Sequence, residues 1–219
     1  MSINPISASK DIADSYMSYL TTTFSLRDRE LARQFRDGLS EPGRFVKGPI
    51  LEATPPFVTA SSIDDLVVEE VLSEEFRRIP ESELPASRPL YLHQETAIRK
   101  AISARRSLVV ASGTGSGKTE TFLVPILNHL FRQKERRVLS PGVRALLLYP
   151  MNVLANDQME RLRKLLRNHP DVTFGRYTGE TKEREKEARD LYIQMFGEEP
   201  PSNELVSREA MRESPPHIL

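Results

Sequence analysis

The chain has 219 residues, 31 basic and 31 acidic side chains, no cysteine and four histidines. That length suffices for one sizeable core with a helical extension, and the absence of cysteine excludes disulfides and thiolate metal sites. The histidines show no metal-ligand spacing, no run approaches the ~20 apolar residues of a membrane span, and the start lacks the apolar segment of a secretory signal, so a cytoplasmic protein without a membrane partner is expected.

Residues 10–21 predict a helix with Ile12, Tyr16, Tyr19 and Leu20 on one stripe, its two tyrosines reading as core residues rather than base-stacking ones. Residues 27–38 predict a second helix carrying Leu31, Phe35 and Leu39, with Gly38 at its end. Residues 43–60 hold too much Pro and Gly for a regular element. Residues 61–72 predict a third helix, with Ser61 or Ser62 as N-cap and acids in its first turn. Pro80, Pro85 and Pro89 mark a linker, so residues 1–88 read as a helical N-terminal extension and 89–219 as a second domain. The extension holds 10 basic and 15 acidic side chains, a balance of −5, and the remainder 21 and 16, a balance of +5. The second excess is compatible with a polyanion but too small to demand one.

Beyond the linker, helix and strand alternate. The pattern predicts helix 92–105, strand 107–111, helix 118–133 kinked at Pro125, strand 144–149 buried on both faces, helix 153–168 and strand 172–177. A charged helix 183–195, a short one over REAMRE and an apolar run starting at 217–219 follow. Strands separated by helices imply a parallel α/β sheet, and a strand that is only opening at 217 implies an incomplete one.

The stretch SGTGSGKTE, residues 112–120, directly follows strand 107–111. It fits the phosphate-loop pattern, with Ser112 in place of the leading glycine. Gly113, Gly115 and Gly117 allow the positive φ angles that turn backbone N–H groups inward, and a helix opening at Lys118 adds its positive end. Lys118 can reach β- and γ-phosphates, and Thr119 can ligate Mg²⁺. Gly113, Thr114, Gly115, Ser116, Gly117, Lys118, Thr119 and Glu120 are therefore the candidate nucleotide-binding set, with Lys118 and Thr119 also the candidate catalytic pair. Gln94 heads the helix that leads into this loop. Its amide matches the N6 and N7 edge of adenine and could select ATP over GTP, although by itself an ordinary solvated glutamine is the favoured reading. Pro150 ends a strand at the sheet edge where α/β proteins bind ligands, and Asn152 opens a helix able to meet a nucleic-acid phosphate. Arg161, Arg163, Lys164 and Arg167 follow, as a phosphate-binding stripe or as a solvated face.

Together these elements resemble the first RecA-like domain of superfamily two helicases. Gln94 stands at the Q-motif position, residues 112–119 at motif I, PMNVLA at motif Ia and YTGET in the region of motif Ib. The phrases GSGKTE, LLYPMNVLANDQ, GRYTGET and SPPHIL, and more loosely VKGPILEATPPF, are similar to the large bacterial DEAD/DEAH-box helicases akin to the mitomycin-repair helicase, a group with relatives in phage defence. The resemblance implies an incomplete RecA-like P-loop NTPase domain of α/β class, preceded by a mainly helical extension that could contact protein partners. It implies ATP- and Mg²⁺-dependent 3′-to-5′ tracking on single-stranded or partly duplex nucleic acid, DNA in particular, in repair or defence. By position it assigns adenine reading to Gln94, and nucleic-acid contact to Met151, Asn152, Thr178, Gly179 and Glu180. Neither Asp-Glu-Ala-Asp nor Asp-Glu-Ala-His occurs in the 219 residues, and no second RecA-like domain with an arginine finger follows. The sequence thus reads as the ATP-binding opening part of a helicase, truncated before motif II and inactive in unwinding. A stand-alone nucleotide-binding or interaction module is the alternative, and a P-loop enzyme of another class, such as a kinase or transporter ATPase, a third reading.

Overall fold

A computed structural model describes residues 4–41, 43, 47 and 56–219. Two compact units emerge, Met1–Pro56 and Phe57–Leu219.

The first unit holds helices α1 (Pro5–Thr23) and α2 (Arg29–Ser40). Each starts where a short polar side chain can satisfy the free N–H groups of a first turn. Asn4 Oδ1 accepts from the Ile6 and Ser7 amides, and Asp28 Oδ1 from those of Glu30 and Leu31. Gly38 does not end α2, because it is not among the glycines at positive φ that a helix stop of this type requires. The expected core role of Tyr16 and Tyr19 is also corrected. Both are more than half exposed, and their rings stack on each other with centroids 6.0 Å apart. Neither helix buries a residue, since two short helices cannot enclose an apolar stripe between them. The irregular segment expected at 43–60 lies mostly outside the described residues, and at its end Thr59 and Ala60 already belong to a strand.

In the second unit, β1 (Thr59–Ser62) pairs antiparallel with β2 (Pro89–Tyr91). Ser62 then caps α3 (Ile63–Val68): the Asp65 amide donates to Ser62 Oγ, and the Ser62 amide donates to Asp65 Oδ2, a reciprocal capping box. A 3-10 turn (Glu74–Arg78), α4 (Leu92–Ile102) and α5 (Lys118–Glu135) follow, with Pro125 inside α5. The core closes Ile63, Leu66, Leu72 and Phe76 onto Leu127, Leu130 and Phe131, with the Phe76 and Phe131 rings edge to face at 5.2 Å. The proline-rich stretch joins this packing. Ile79 and Leu84 are buried, and the Asp64 amide donates to Ala86 O. The packed unit therefore begins at Phe57, ahead of the boundary expected at 88/89.

The remaining elements are α6 (Asn152–Leu165), β3 (Phe174–Gly175), α7 (Glu185–Phe196), β4 (Glu204–Leu205) and α8 (Arg208–Glu213). β3 and β4 pair in parallel, and parallel bridges join Phe174 to Ile218 and Ile218 to Ala145. The lateral order is thus 145, 218, 174, 204, all parallel. Backbone bonds from 215–219 reach 142–147 on one side, and those of 217–218 reach 173–175 on the other.

Two expected strands differ from this outcome. Residues 107–111 carry no ladder, and Val109 is 97% exposed. Apolar character favours a strand, but only a neighbour's hydrogen bonds make one, and among the described residues no ladder forms here. Residues 144–149 are not buried on both faces: Leu146 and Leu148 stand exposed, while Ala145 and Leu147 are partly covered. No helix among the described residues is long and apolar enough to cross a membrane.

Candidate phosphate-binding site

The loop 112–117 ends on two left-handed glycines, Gly115 at φ +74° and Gly117 at φ +69°, and Gly117 caps α5. Gly113, expected to share that conformation, does not. Gly117 is required twice over. Its φ disfavours any side chain, and a Cβ there would lie 2.3 Å from Gln94 Nε2. The chain cannot enter α5 otherwise while keeping Gln94 in place.

Loop side chains close on themselves. Lys118 Nζ donates to Ser112 O at 2.9 Å and Gly113 O at 2.6 Å, and Ser112 and the fully buried Ser116 share a hydroxyl hydrogen bond at 2.6 Å. His93 Nε2 donates to Ser116 O at 2.9 Å, which fixes the proton on that nitrogen. His93 in turn sits in an aromatic group with Phe57 and Tyr91, at centroid distances of 5.5 and 5.7 Å. Thr119 is half-buried at the first turn of α5, and Thr114 is exposed.

Gln94 is 3% exposed, which removes the solvated alternative. Its Oε1 accepts from the Tyr91 amide at 2.8 Å, and its Nε2 donates to Gly117 O at 2.8 Å. The side chain thus ties the start of α4 to the end of the loop. Glu120 lies 3.4 Å from the same amide nitrogen through Oε2 and accepts from Arg161 Nη2 at 2.8 Å through Oε1.

A second group gathers at the sheet edge. Met151 is the exposed N-cap of α6, and Asn152 Nδ2 donates to Glu180 Oε1 at 3.4 Å. The turn holding Thr178, Gly179 and Glu180 is closed by Thr181, whose Oγ1 accepts from the Thr178 amide and donates to Arg176 O. Arg208 Nη2 donates to Thr178 O at 2.8 Å, and its guanidinium lies over the Tyr177 ring at 5.1 Å. A cavity of about 260 Å³ lined by Leu147, Tyr149, Asn152, Thr178 and Leu219 opens here. Burial raises the Tyr149 phenol above its usual range, against the pull of Arg161. The basic residues of α6 do not form a phosphate stripe. Arg161 is paired with Glu120, Arg163 grips Glu204 through two bonds of 2.6 and 2.8 Å, and Lys164 pairs with Glu160.

Sequence reading missed His93 and Arg208, whose roles lie in contacts across 23 and 30 residues that no local spacing announces. It also placed Arg161 among solvent-facing or phosphate-facing cations. Its partner, 41 residues away, is set only by packing. Among the described residues no group of acids and histidines could hold a metal by itself. A loop with two left-handed glycines, a helix start and a lysine at its mouth fits a phosphate chain.

A family model for DEAD/DEAH box helicases matches residues 91–200, half of the chain. The chain belongs to the DEAD/DEAH box helicase family. Its parallel α/β arrangement is accordingly an incomplete RecA-like domain. This DEAD/DEAH box chain is 34% identical over 187 residues to Druantia protein DruE of Escherichia coli (strain UMEA 4076-1), covering 78% of this chain and 10% of that protein. It is 37% identical over 97 residues to ATP-dependent RNA helicase DBP7 of Meyerozyma guilliermondii, covering 44% of this chain and 13% of the relative. It is 39% identical over 114 residues to ATP-dependent RNA helicase dbp4 of Aspergillus niger, covering 49% and 14%. The chain therefore spans between 10% and 14% of the length of these relatives. No solved structure matches it.

Proposed function

We propose that the chain carries the ATP-binding part of an ATP-dependent helicase or translocase, with residues 89–219 as its first RecA-like domain and the packed segment 57–88 completing that core. The observation that supports this best is the loop itself, where Gly117 caps α5 at φ +69° with Lys118 and Thr119 in the first turn. In this reading Gly113, Thr114, Gly115, Ser116 and Gly117 enclose the phosphates with their backbone N–H groups. Lys118 leaves the Ser112 and Gly113 carbonyls for the β- and γ-phosphates, and Thr119 ligates Mg²⁺. Glu120 stands behind the loop, and Gln94 turns part of its amide to adenine. Mg-ATP, once hydrolysed, supplies the free energy for movement along a nucleic acid. Met151 and Asn152 with Thr178, Gly179 and Glu180 hold the nucleic-acid backbone, which suits a motor that binds all sequences alike. DNA is the expected strand; two relatives are named RNA helicases, so both belong in the test.

The experiment is titration of the 219-residue chain with a fluorescent ATP analogue and Mg²⁺, and then with single-stranded DNA and RNA. Lys118→Ala removes a charge-assisted contact and is expected to weaken nucleotide binding by about 10- to 100-fold. Equal affinity in the two proteins would refute the phosphate-loop reading. Lacking a motif II carboxylate pair, the chain is expected to bind without strand separation.

A further inference from the structure

The Glu120–Arg161 pair joins two elements that the proposed function assigns to different ligands. Glu120 follows Thr119 in the first turn of α5 and is 8% exposed. Arg161 lies in the third turn of α6, the helix that opens at Asn152. Their bond of 2.8 Å is half of a longer path. The other carboxylate oxygen of Glu120 lies 3.4 Å from Gln94 Nε2, and the same nitrogen donates to Gly117 O at 2.8 Å. Contacts therefore run from the loop backbone through Gln94 and Glu120 into α6. From α6, Asn152 reaches Glu180, and Asn156 accepts from Arg176, both on the turn that Arg208 anchors.

Glu120 stands at the junction of this path, shared between Gln94 on the loop side and Arg161 on α6. The Gln94 amide cannot turn toward a base, nor Gly117 shift under a phosphate, without changing what Glu120 accepts. A nearly buried carboxylate deprived of one donor leans harder on the other, here Arg161, because an unpaired charge in that position is costly. Arg161 is carried by α6, so a changed pull on its guanidinium is passed to that helix. We infer that Glu120 and Arg161 are a positioning pair that couples nucleotide at the loop to nucleic acid at α6. The inference rests on the proposed function, and by linkage the coupling acts equally in both directions.

The test uses the 219-residue chain and a fluorescein-labelled oligo-dT. Its dissociation constant is measured by anisotropy with and without saturating Mg²⁺ and a non-hydrolysable ATP analogue. The wild-type ratio of the two constants is expected to depart from one by about 5- to 150-fold. Glu120→Gln and Arg161→Met each bring the ratio toward one, the double variant lies no lower than either single, and Arg161→Lys retains part of the effect. Affinity for the analogue alone stays within about threefold in Arg161→Met and Arg161→Lys, which lie outside the phosphate loop, the range of weak context effects. A merely structural brace would lower the melting temperature and leave the ratio at its wild-type value, which would overturn the inference. Should Arg161→Met not fold, Glu120→Gln and Arg161→Lys carry the same comparison. A wild-type chain that binds both ligands with a ratio of one refutes the coupling and leaves the proposed function standing. A chain that binds neither refutes the proposed function and the coupling with it.

Discussion

The ring of His169 is fully buried, stacked on Phe131 with centroids 4.4 Å apart, and its Nδ1 lies 3.3 Å from Glu75 Oε2 without the alignment of a hydrogen bond. Burial above all, then the nearby Lys134 and Arg78, push its pKa down to about 4, against the opposing pull of Glu75. Folding thus favours the neutral ring. Its contribution is complete above the ordinary value of 6.5 and is lost as pH falls from there toward 4. The loss amounts to about 3 kcal/mol, from ~1.4 kcal/mol per pH unit. His217 is lowered as well, by burial first, and adds in the same direction. Glu75, although burial opposes it, is held below its usual range by Lys134 and Arg78, so carboxylate losses set in at lower pH. Urea unfolding between pH 7 and 4.5 is expected to show stability falling through that window, with most of the slope removed in His169→Leu. An unchanged slope would show that His169 is not the group titrated. Gln94 shows how far a single residue was readable: its position beside the loop was legible from the motif order, but its bonds to Tyr91 and Gly117 were not.

Helices are the elements that the sequence announced best, because their hydrogen bonds close within four residues and their caps are local. Ser62 is the case in point. The reading left Ser61 or Ser62 as the cap, and the structure chooses Ser62 through its exchange with Asp65, while Ser61 turns to Glu95. Ser62→Ala is expected to cost about 1 kcal/mol, within the ~0.5–2 kcal/mol of helix caps. A shift of the urea midpoint without a change in slope checks this, and a shift below experimental error would show that the Asp65 half of the box suffices. The helix starting at Lys118 was expected at that residue, since Gly117 is both the end of the loop and the cap of α5. Strands were legible only as apolar runs. Residues 107–111 and 144–149 have equally good runs, and only the second finds a partner, in 217–219.

Across the whole described sheet, the order 145, 218, 174, 204 leaves the 144–149 segment with one exposed face, where Leu148 is 83% and Leu146 59% exposed. An exposed apolar face of this kind is expected to promote association. Leu148→Lys is expected to raise the concentration at which the chain stays monomeric by light scattering. Its melting temperature should hold, since exposed substitutions usually act within about 0.5 kcal/mol. Scattering equal to that of the wild type would show that this face does not drive association.

The sequence by itself determined the place of the loop, the start of α5 and the family, because glycine punctuation, capping and motif order are local properties of the chain. Only the tertiary structure decided that residues 57–88 pack into the core, that Arg161 belongs to Glu120 rather than to a phosphate stripe, and that one apolar run finds a bridging partner while another does not. Each of those outcomes depends on a partner many residues away, and no local pattern encodes which partner packing will supply.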